Sequence, residues 1–418
     1  MGLSFIHHPK RMKKRIPQKM EIPNDVVMEE ILARLPAKSL MRFKCVSKLW
    51  SSLISSRYFC NRFLTVPTRP LPTRPRPRIY MCLQDNNDFR NNVTLSLAPD
   101  TTNPNCFVVD HNLTSPRVGG YVLQNLRGFM CYPFFRKPTF YNPATRQLVT
   151  IPAAFKSQNI IPAPPEEEAF KSYNYYFGYD SVIDQYYVLW STGVYVKHLG
   201  ETKSEHLVFV LKAGGEGSWK KAYPTSPDYL PHIPAKRGMC IDGVIYYMGW
   251  TGTYSLGLVS FHIRSGDFKM IQVPGRDGDE MFLRTMKNVS LIEYGGKVTI
   301  IDLTNLREKG MLDLWAVEDA GNKKSFTRKT MVLQSSQLHL VINNKTIYTM
   351  KGTTDNNKVF FIPEDMFSPF HILCYDLRSN DMTKIEIKGV PDHWFNIDRS
   401  TINVMLMDQS EDLVSLET

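Results

Sequence analysis

The residues best suited by type to do chemistry fall in two short clusters. His198, Glu201, Glu205 and His206 crowd one segment, and imidazole with carboxylate is a ligand set for zinc. Their spacing is not that of a zinc-binding helix, and the segment reads as strand and loop, so they are expected to form a surface cluster. Asp277, Asp279 and Glu280 follow Gly275. Oxygen ligands of this kind suit calcium, yet the intervals fit no calcium loop and read as a solvated turn. The seven cysteines, at 45, 60, 82, 106, 131, 240 and 374, are odd in number and make no C-x-x-C pair. That is the usage of reduced thiols, not of a disulfide framework or a zinc site. No glycine-rich phosphate loop, nucleophile elbow or H-E-x-x-H motif occurs. The chain is expected to have no catalytic residues, no metal and no cofactor.

With no constellation to position, the elements themselves carry the reading. The chain has 418 residues and a net charge of +11, long enough for a large all-β unit plus a small module. The charge is uneven. Residues 1–78 hold 17 Lys and Arg against 4 Asp and Glu, so everything beyond residue 78 is close to neutral. A nucleic-acid-binding large domain would need its own basic face, and none is expected here. Residues 1–20 read as a disordered basic arm. Its Lys10-Arg11-Met12-Lys13-Lys14-Arg15 run is a solvated tail or a nuclear-import signal. No apolar run follows it as a secretory leader would require, and no stretch reaches the roughly 20 apolar residues of a membrane span. A cytoplasmic or nuclear location is expected, with no membrane partner.

Residues 22–54 pack three short amphipathic helical patterns into a segment too small to bury its own apolar surface. Asn24 or Asp25 offers a cap, Glu29 and Glu30 suit the N-terminal half, and Val27, Ile31 and Leu35 line up four apart before Pro36 stops the helix. Leu40, Phe43 and Val46 recur three apart, and Trp50, Leu53 and Ile54 follow. Such a module needs a second surface, either the rest of the chain or a partner.

This stretch resembles an F-box of the plant type. The shared elements are Ile22-Pro23, Glu30 to Pro36, Lys38 to Phe43, Cys45 to Trp50 and a closing Ser51-Ser52-Leu53-Ile54. Ser47 stands where relatives often carry Cys. The resemblance implies a trihelical module over 21–64 that binds the Skp-family adaptor of SCF (cullin–RING) ubiquitin ligases. It implies adaptor contacts through Ile22, Pro23, Val26, Ile31, Leu32, Leu35, Pro36, Leu40, Phe43, Val46, Trp50 and Leu53, with some of these holding the helices together instead. Trp50 is the expected energetic anchor, by its size. Residues 65–78 then form a linker whose five prolines and interleaved arginines favour an extended, semi-rigid strut.

From residue 79 to 418 the pattern is all-β and repeats. Asp242-Gly243, Gly295-Gly296, Asn343-Asn344 and, more loosely, Gly128 mark tight hairpins between apolar runs. A second hairpin type begins at 140, 209, 261, 314 and 374, every 52–69 residues. Four strands per unit at that period is the rhythm of a β-propeller, of about six blades. Ile79 to Leu97 begins a sixth unit, and Thr401 to Met407 is expected to close the ring beside it. A two-sheet sandwich accommodates so regular a period less well, and no double glycine recurs at a kelch interval.

The β region also resembles the plant F-box-associated domain, through Tyr141-Asn142-Pro143-Ala144-Thr145-Arg146, Phe177-Gly178-Tyr179-Asp180, Gly238 to Tyr247 and Leu314-Trp315. Residues 79–119 match no pattern. Together the resemblances imply a non-catalytic substrate receptor of an SCF ligase, bridging the adaptor, and through it cullin, to an unknown target protein. An F-box protein acting outside a ligase, or a ligand- or sugar-binding propeller, are the alternatives.

Overall fold

The structure is a computed structural model. It describes residues 31–35, 37–56, 58–60, 63, 78–85, 87–88, 91–119, 124–134, 136–143, 145–154, 169–196, 200–211, 217–251, 255–273, 288–320, 323–342, 346–353, 357–395 and 402–409. The chain divides into two units, Met1–Thr68 and Arg69–Thr418.

In the first unit the expected opening helix lies mostly outside the described residues. Its visible end, Leu32–Arg34, is a 3-10 turn. Leu35 leaves it in an extended conformation (φ −82°, ψ 150°), as steric conflict with the ring of a following proline demands. Helix α1 spans Ala37–Lys44 and α2 spans Lys48–Ser55. Ser47 starts α2 by accepting a hydrogen bond from the Trp50 amide at 3.2 Å, so the position that departs from the family pattern is the helix cap. Ser56 does the same for the next turn, accepting from the Phe59 amide at 3.2 Å while donating to the Leu53 carbonyl at 2.7 Å. Phe43 stacks on Trp50 with centroids 5.2 Å apart, joining the two helices.

The second unit is built of antiparallel strands in groups of four. Four groups are separate sheets: β4–β7 (Gln124–Leu126, Phe129–Phe134, Lys137–Asn142, Gln147–Thr150), β8–β11 (Ala169–Asp180, Gln185–Val196, Glu201–Leu211, Lys220–Ala222), β12–β15 (Ile233–Ile241, Val244–Thr251, Ser255–His262, Phe268–Gln272) and β16–β19 (Val289–Tyr294, Lys297–Asp302, Met311–Ala320, Lys323–Val332). An eight-stranded sheet contains the rest. One half is β20–β23 (Tyr348–Thr353, Lys358–Pro363, Phe370–Asp376, Asp381–Lys388). The other is β24 (Ile402–Gln409), β1 (Arg78–Asp85), β2 (Asn92–Pro99) and β3 (Cys106–Pro116), in that order. The halves join through parallel pairing of Glu386, Ile387 and Lys388 with Cys106, Phe107 and Val108. The first strands of neighbouring groups, β4, β8, β12 and β16, meet one another, as do β20 and β24. This is the arrangement of propeller blades around an axis.

Residues 79–119, where the repeating pattern could not be read, thus supply three strands of the closing blade. Its innermost strand is β24, paired with β1 from Arg78↔Gln409 to Asp85↔Ile402. The expected hairpin turns form at Arg127-Gly128, Asp242-Gly243 and Gly295-Gly296, all with positive φ at both residues. That is the mirror-image turn whose twist matches paired strands. The turn expected at Asn343-Asn344 lies outside the described residues, and the run before it is not the expected strand. Leu338–Leu340 is a 3-10 turn and β20 begins only at Tyr348. Val341 is buried in the core between the β16–β19 and β20–β23 groups, and Leu338 packs against that core. Residues 338–342 therefore fill the space between two blades instead of forming the first strand of a hairpin.

Side-chain alternation along each inner strand fills the spaces between blades. On β8, Tyr175 and Phe177 join Phe129, Phe140 and Trp190 on one side. Tyr176 between them packs on Tyr247 of the next blade, with rings stacked at 4.0 Å.

Candidate functional site

The same alternation dismantles the acid-and-histidine cluster. Glu205 on β10 points outward and pairs with Lys221 at 3.0 Å, while its neighbour His206 is buried. His206 Nε2 lies 2.8 Å from the Tyr229 hydroxyl, and its ring stacks between Phe268 (4.4 Å) and His232 (5.2 Å). His232, also buried, donates from Nδ1 to the Leu230 carbonyl at 2.9 Å and receives the Tyr247 hydroxyl on Nε2 at 2.8 Å. Ser204 bonds to the Tyr229 hydroxyl and accepts from the His232 amide. Burial disfavours the charged imidazole. It holds His206 well below its ordinary value, with the neighbouring His232 adding to the effect, and brings His232 down to about 4 despite the opposing Leu230 carbonyl. These are neutral core histidines sealing the β8–β11 blade against the β12–β15 blade. His198, Asp277, Asp279 and Glu280 lie outside the described residues. Among the described residues no group of three or more His, Cys, Asp or Glu is placed to hold a metal, and no helix is long and apolar enough to cross a membrane.

Two buried carboxylates are likewise structural in geometry. Asp180, at the end of β8, is fully buried and takes both Nε and Nη2 of Arg264 from the next blade, at 2.5 and 2.8 Å. The Arg264 hydrogen bonds are the main reason its carboxyl is held below the usual range. Asp313 accepts a similar fork from Arg328 at 3.1 and 2.7 Å, plus the Thr330 hydroxyl at 2.6 Å.

The helical unit presents a different kind of site. Of the expected adaptor-contacting residues, Leu32 and Leu40 are buried together with Ile54 and Phe59. Leu35, Phe43, Trp50 and Leu53 are half-buried. Ile31 and Val46 face solvent, at 45% and 68% exposure. Ile22, Pro23, Val26 and Pro36 lie outside the described residues. Leu49, absent from the sequence reading, is 62% exposed. Its signal was present: Leu49 and Leu53 lie four apart, as do Trp50 and Ile54, giving an eight-residue helix two apolar stripes. One stripe closes the module through Ile54 and the Phe43–Trp50 stack; on the other, Leu53 is half-buried and Leu49 is left exposed. Lys44, beside Cys60, is half covered, and burial lowers its ammonium below the ordinary lysine value.

Comparison with known proteins agrees with this division. Residues 21–62 match the F-box domain, and residues 78–410 match the F-box associated beta propeller domain. An F-box/LRR-repeat protein of Arabidopsis thaliana is 44% identical over 399 residues, covering 94% of this chain and 87% of the relative. An F-box protein of the same plant is 42% identical over 398 residues, covering 95% and 94%. The fucose-specific lectin from Aleuria aurantia aligns with 76% of this chain and 98% of its own at 10% identity and a TM-score of 0.33, too loose an overlap to bear on ligands. The chain belongs to the F-box proteins that carry an F-box associated β-propeller domain.

Proposed function

We propose that this protein is the target-recruiting subunit of an SCF ubiquitin ligase, with the F-box docking a Skp-family adaptor and, through it, cullin. The observation that carries the reading is the exposed aliphatic surface of Ile31, Val46 and Leu49, on a module whose other described leucine, isoleucine, phenylalanine and tryptophan side chains are at least half-buried. Covering an exposed leucine or valine stabilises a complex by roughly 1.5–3 kcal/mol each before ordering costs. The β-propeller then holds the target protein. Its contribution is to keep target lysines near the ubiquitin-charged enzyme, a gain in effective concentration that needs no acid or base from this chain.

The test is co-expression with a Skp-family adaptor and co-purification in about 0.3 M salt, where exposed ion pairs are screened and apolar contacts persist. Val46→Ser with Leu49→Ser is expected to abolish co-purification with the circular dichroism spectrum unchanged. Trp50→Ala is expected to abolish it with loss of helical signal, because the ring also stacks on Phe43. A folded wild-type chain that brings down no adaptor overturns the proposal.

A further inference from the structure

The outer rims of the blades differ in a way that singles out one strand. β7, β11 and β15 end their sheets with only 4, 3 and 5 residues. β3 and β23 cover part of each other's edge by their parallel pairing. β19 ends its sheet with 10 residues in unbroken register against β18. Short strands and covered edges are how sheets avoid adding further strands. β19 is long, and its edge is covered only at its last outward carbonyl, that of Val332, by Asn380.

The hydrogen bonds at its end show which groups are free. The Leu333 amide donates inward to the Gly310 carbonyl at 2.9 Å, whereas the Val332 carbonyl accepts from Asn380 Nδ2 at 2.9 Å on the opposite side. Because N–H and C=O of alternate residues point the same way, Lys324, Phe326, Arg328 and Thr330 turn both backbone groups away from β18. The strand is open to solvent: Ser325, Thr327, Arg328, Lys329 and Thr330 are exposed.

Its charge then says what fits. Lys323–Val332 contains Lys323, Lys324, Arg328 and Lys329 and no acidic residue. Arg328 is held by Asp313 and lies over the Trp315 ring at 5.1 Å, and Lys329 donates to the Tyr294 hydroxyl at 3.1 Å. Pairing β19 with a second β19, or with any basic strand, sets like charges opposite one another. An acidic strand inverts that repulsion into cross-strand attraction.

We propose that β19 is where the propeller takes its target, by adding an extended, acidic segment of the partner protein as a fifth strand of this blade. This deepens the substrate-receptor reading above and rests on it. The full chain, co-purified with its adaptor, is titrated into three fluorescein-labelled nine-residue peptides while anisotropy is read. One alternates Glu and Val, one alternates Lys and Val, and one is the Glu peptide N-methylated at alternate residues.

The Glu peptide is expected to saturate, with the Lys and N-methylated peptides at least roughly tenfold weaker. Lys324→Glu with Lys329→Glu is expected to reverse the Glu–Lys preference, with near-ultraviolet circular dichroism confirming an intact fold. The proposal is overturned if the Glu peptide fails to bind below about 1 mM. It is equally overturned if N-methylation costs nothing or the variant keeps the original preference. Adaptor retention without peptide binding sinks only the edge; peptide binding by a chain that retains no adaptor sinks only the ligase reading.

Discussion

Acidification should destabilise the β-propeller through His206 and His232 before any carboxylate is affected. Both rings are buried and neutral in the fold, while in the unfolded chain each takes a proton near its ordinary value of 6.5. The unfolded state therefore binds more protons below pH 6.5, and stability falls as pH falls. For His232 the loss runs from about 6.5 down to its folded value of about 4. Moving from pH 7 to pH 5 shifts the balance by about 2 kcal/mol for this one group. His206, lowered in the same direction by the same burial and by the neighbouring His232, contributes a loss of the same sign. A stacked pair 5.2 Å apart accepts a second charge less readily than the first. Urea unfolding at pH 7, 6 and 5, followed through the buried Trp190, reads the slope. His206→Phe keeps the stack on Phe268 and removes one titrating group, so its loss between pH 7 and pH 5 should be smaller than that of the wild type. Parallel wild-type and variant pH profiles would refute the reasoning.

Three further outcomes follow from the same geometry. Ser47→Ala removes the α2 cap and should cost the helical unit about 1 kcal/mol, seen as a lower-temperature helical transition with the β transition unmoved. Deleting residues 402–418 strips β1 of its inner neighbour and uncovers the core around Val404 and Leu406; limited proteolysis should then cut within residues 78–116, which resist in the full chain. A thiol reagent at pH 8 should modify exposed Cys45 first. Buried Cys60, Cys82, Cys106, Cys131 and Cys374 should react only on unfolding; burial also raises the thiols of Cys82, to about 11, and of Cys106 and Cys131.

Much of the architecture was legible because its signals are local. Asp242-Gly243 and Gly295-Gly296 take the positive φ values that their residue types favour. Of the closing strand expected from Thr401 to Met407, the described part from Ile402 pairs beside β1, as an apolar strand without a neighbour should. What stayed hidden depends on contacts distant in sequence. Asn343-Asn344 has turn chemistry, but Val341 and Leu338 are drawn into an interblade core that no dipeptide reveals. His206 and His232 lie 26 residues apart and meet only when two blades pack. The regular period fails over 79–119 because the first strand of that blade comes from the other end of the domain. In the helical unit the composition of the apolar surface was plain. Its partition into an inner and an outer set was not, since Leu49 and Trp50 are neighbours of equal promise and only the Phe43 stack decides between them.

The closing blade, built from both ends of the β region, sets a schedule for biosynthesis. Residues 21–62 leave the ribosome before the β region and, on the proposed reading, would meet an adaptor while the ring behind them is still open. β1, β2 and β3 must then wait through the synthesis of twenty other strands before β24 arrives to complete their sheet. Until that moment β1 has one bare edge, a feature that chaperones and quality-control proteases read. On the proposed reading, a chain interrupted between the end of the F-box match at residue 62 and Ile402 keeps its docking module yet presents an unfinished propeller. Nascent receptors that capture an adaptor early would compete with finished ones for the same ligase.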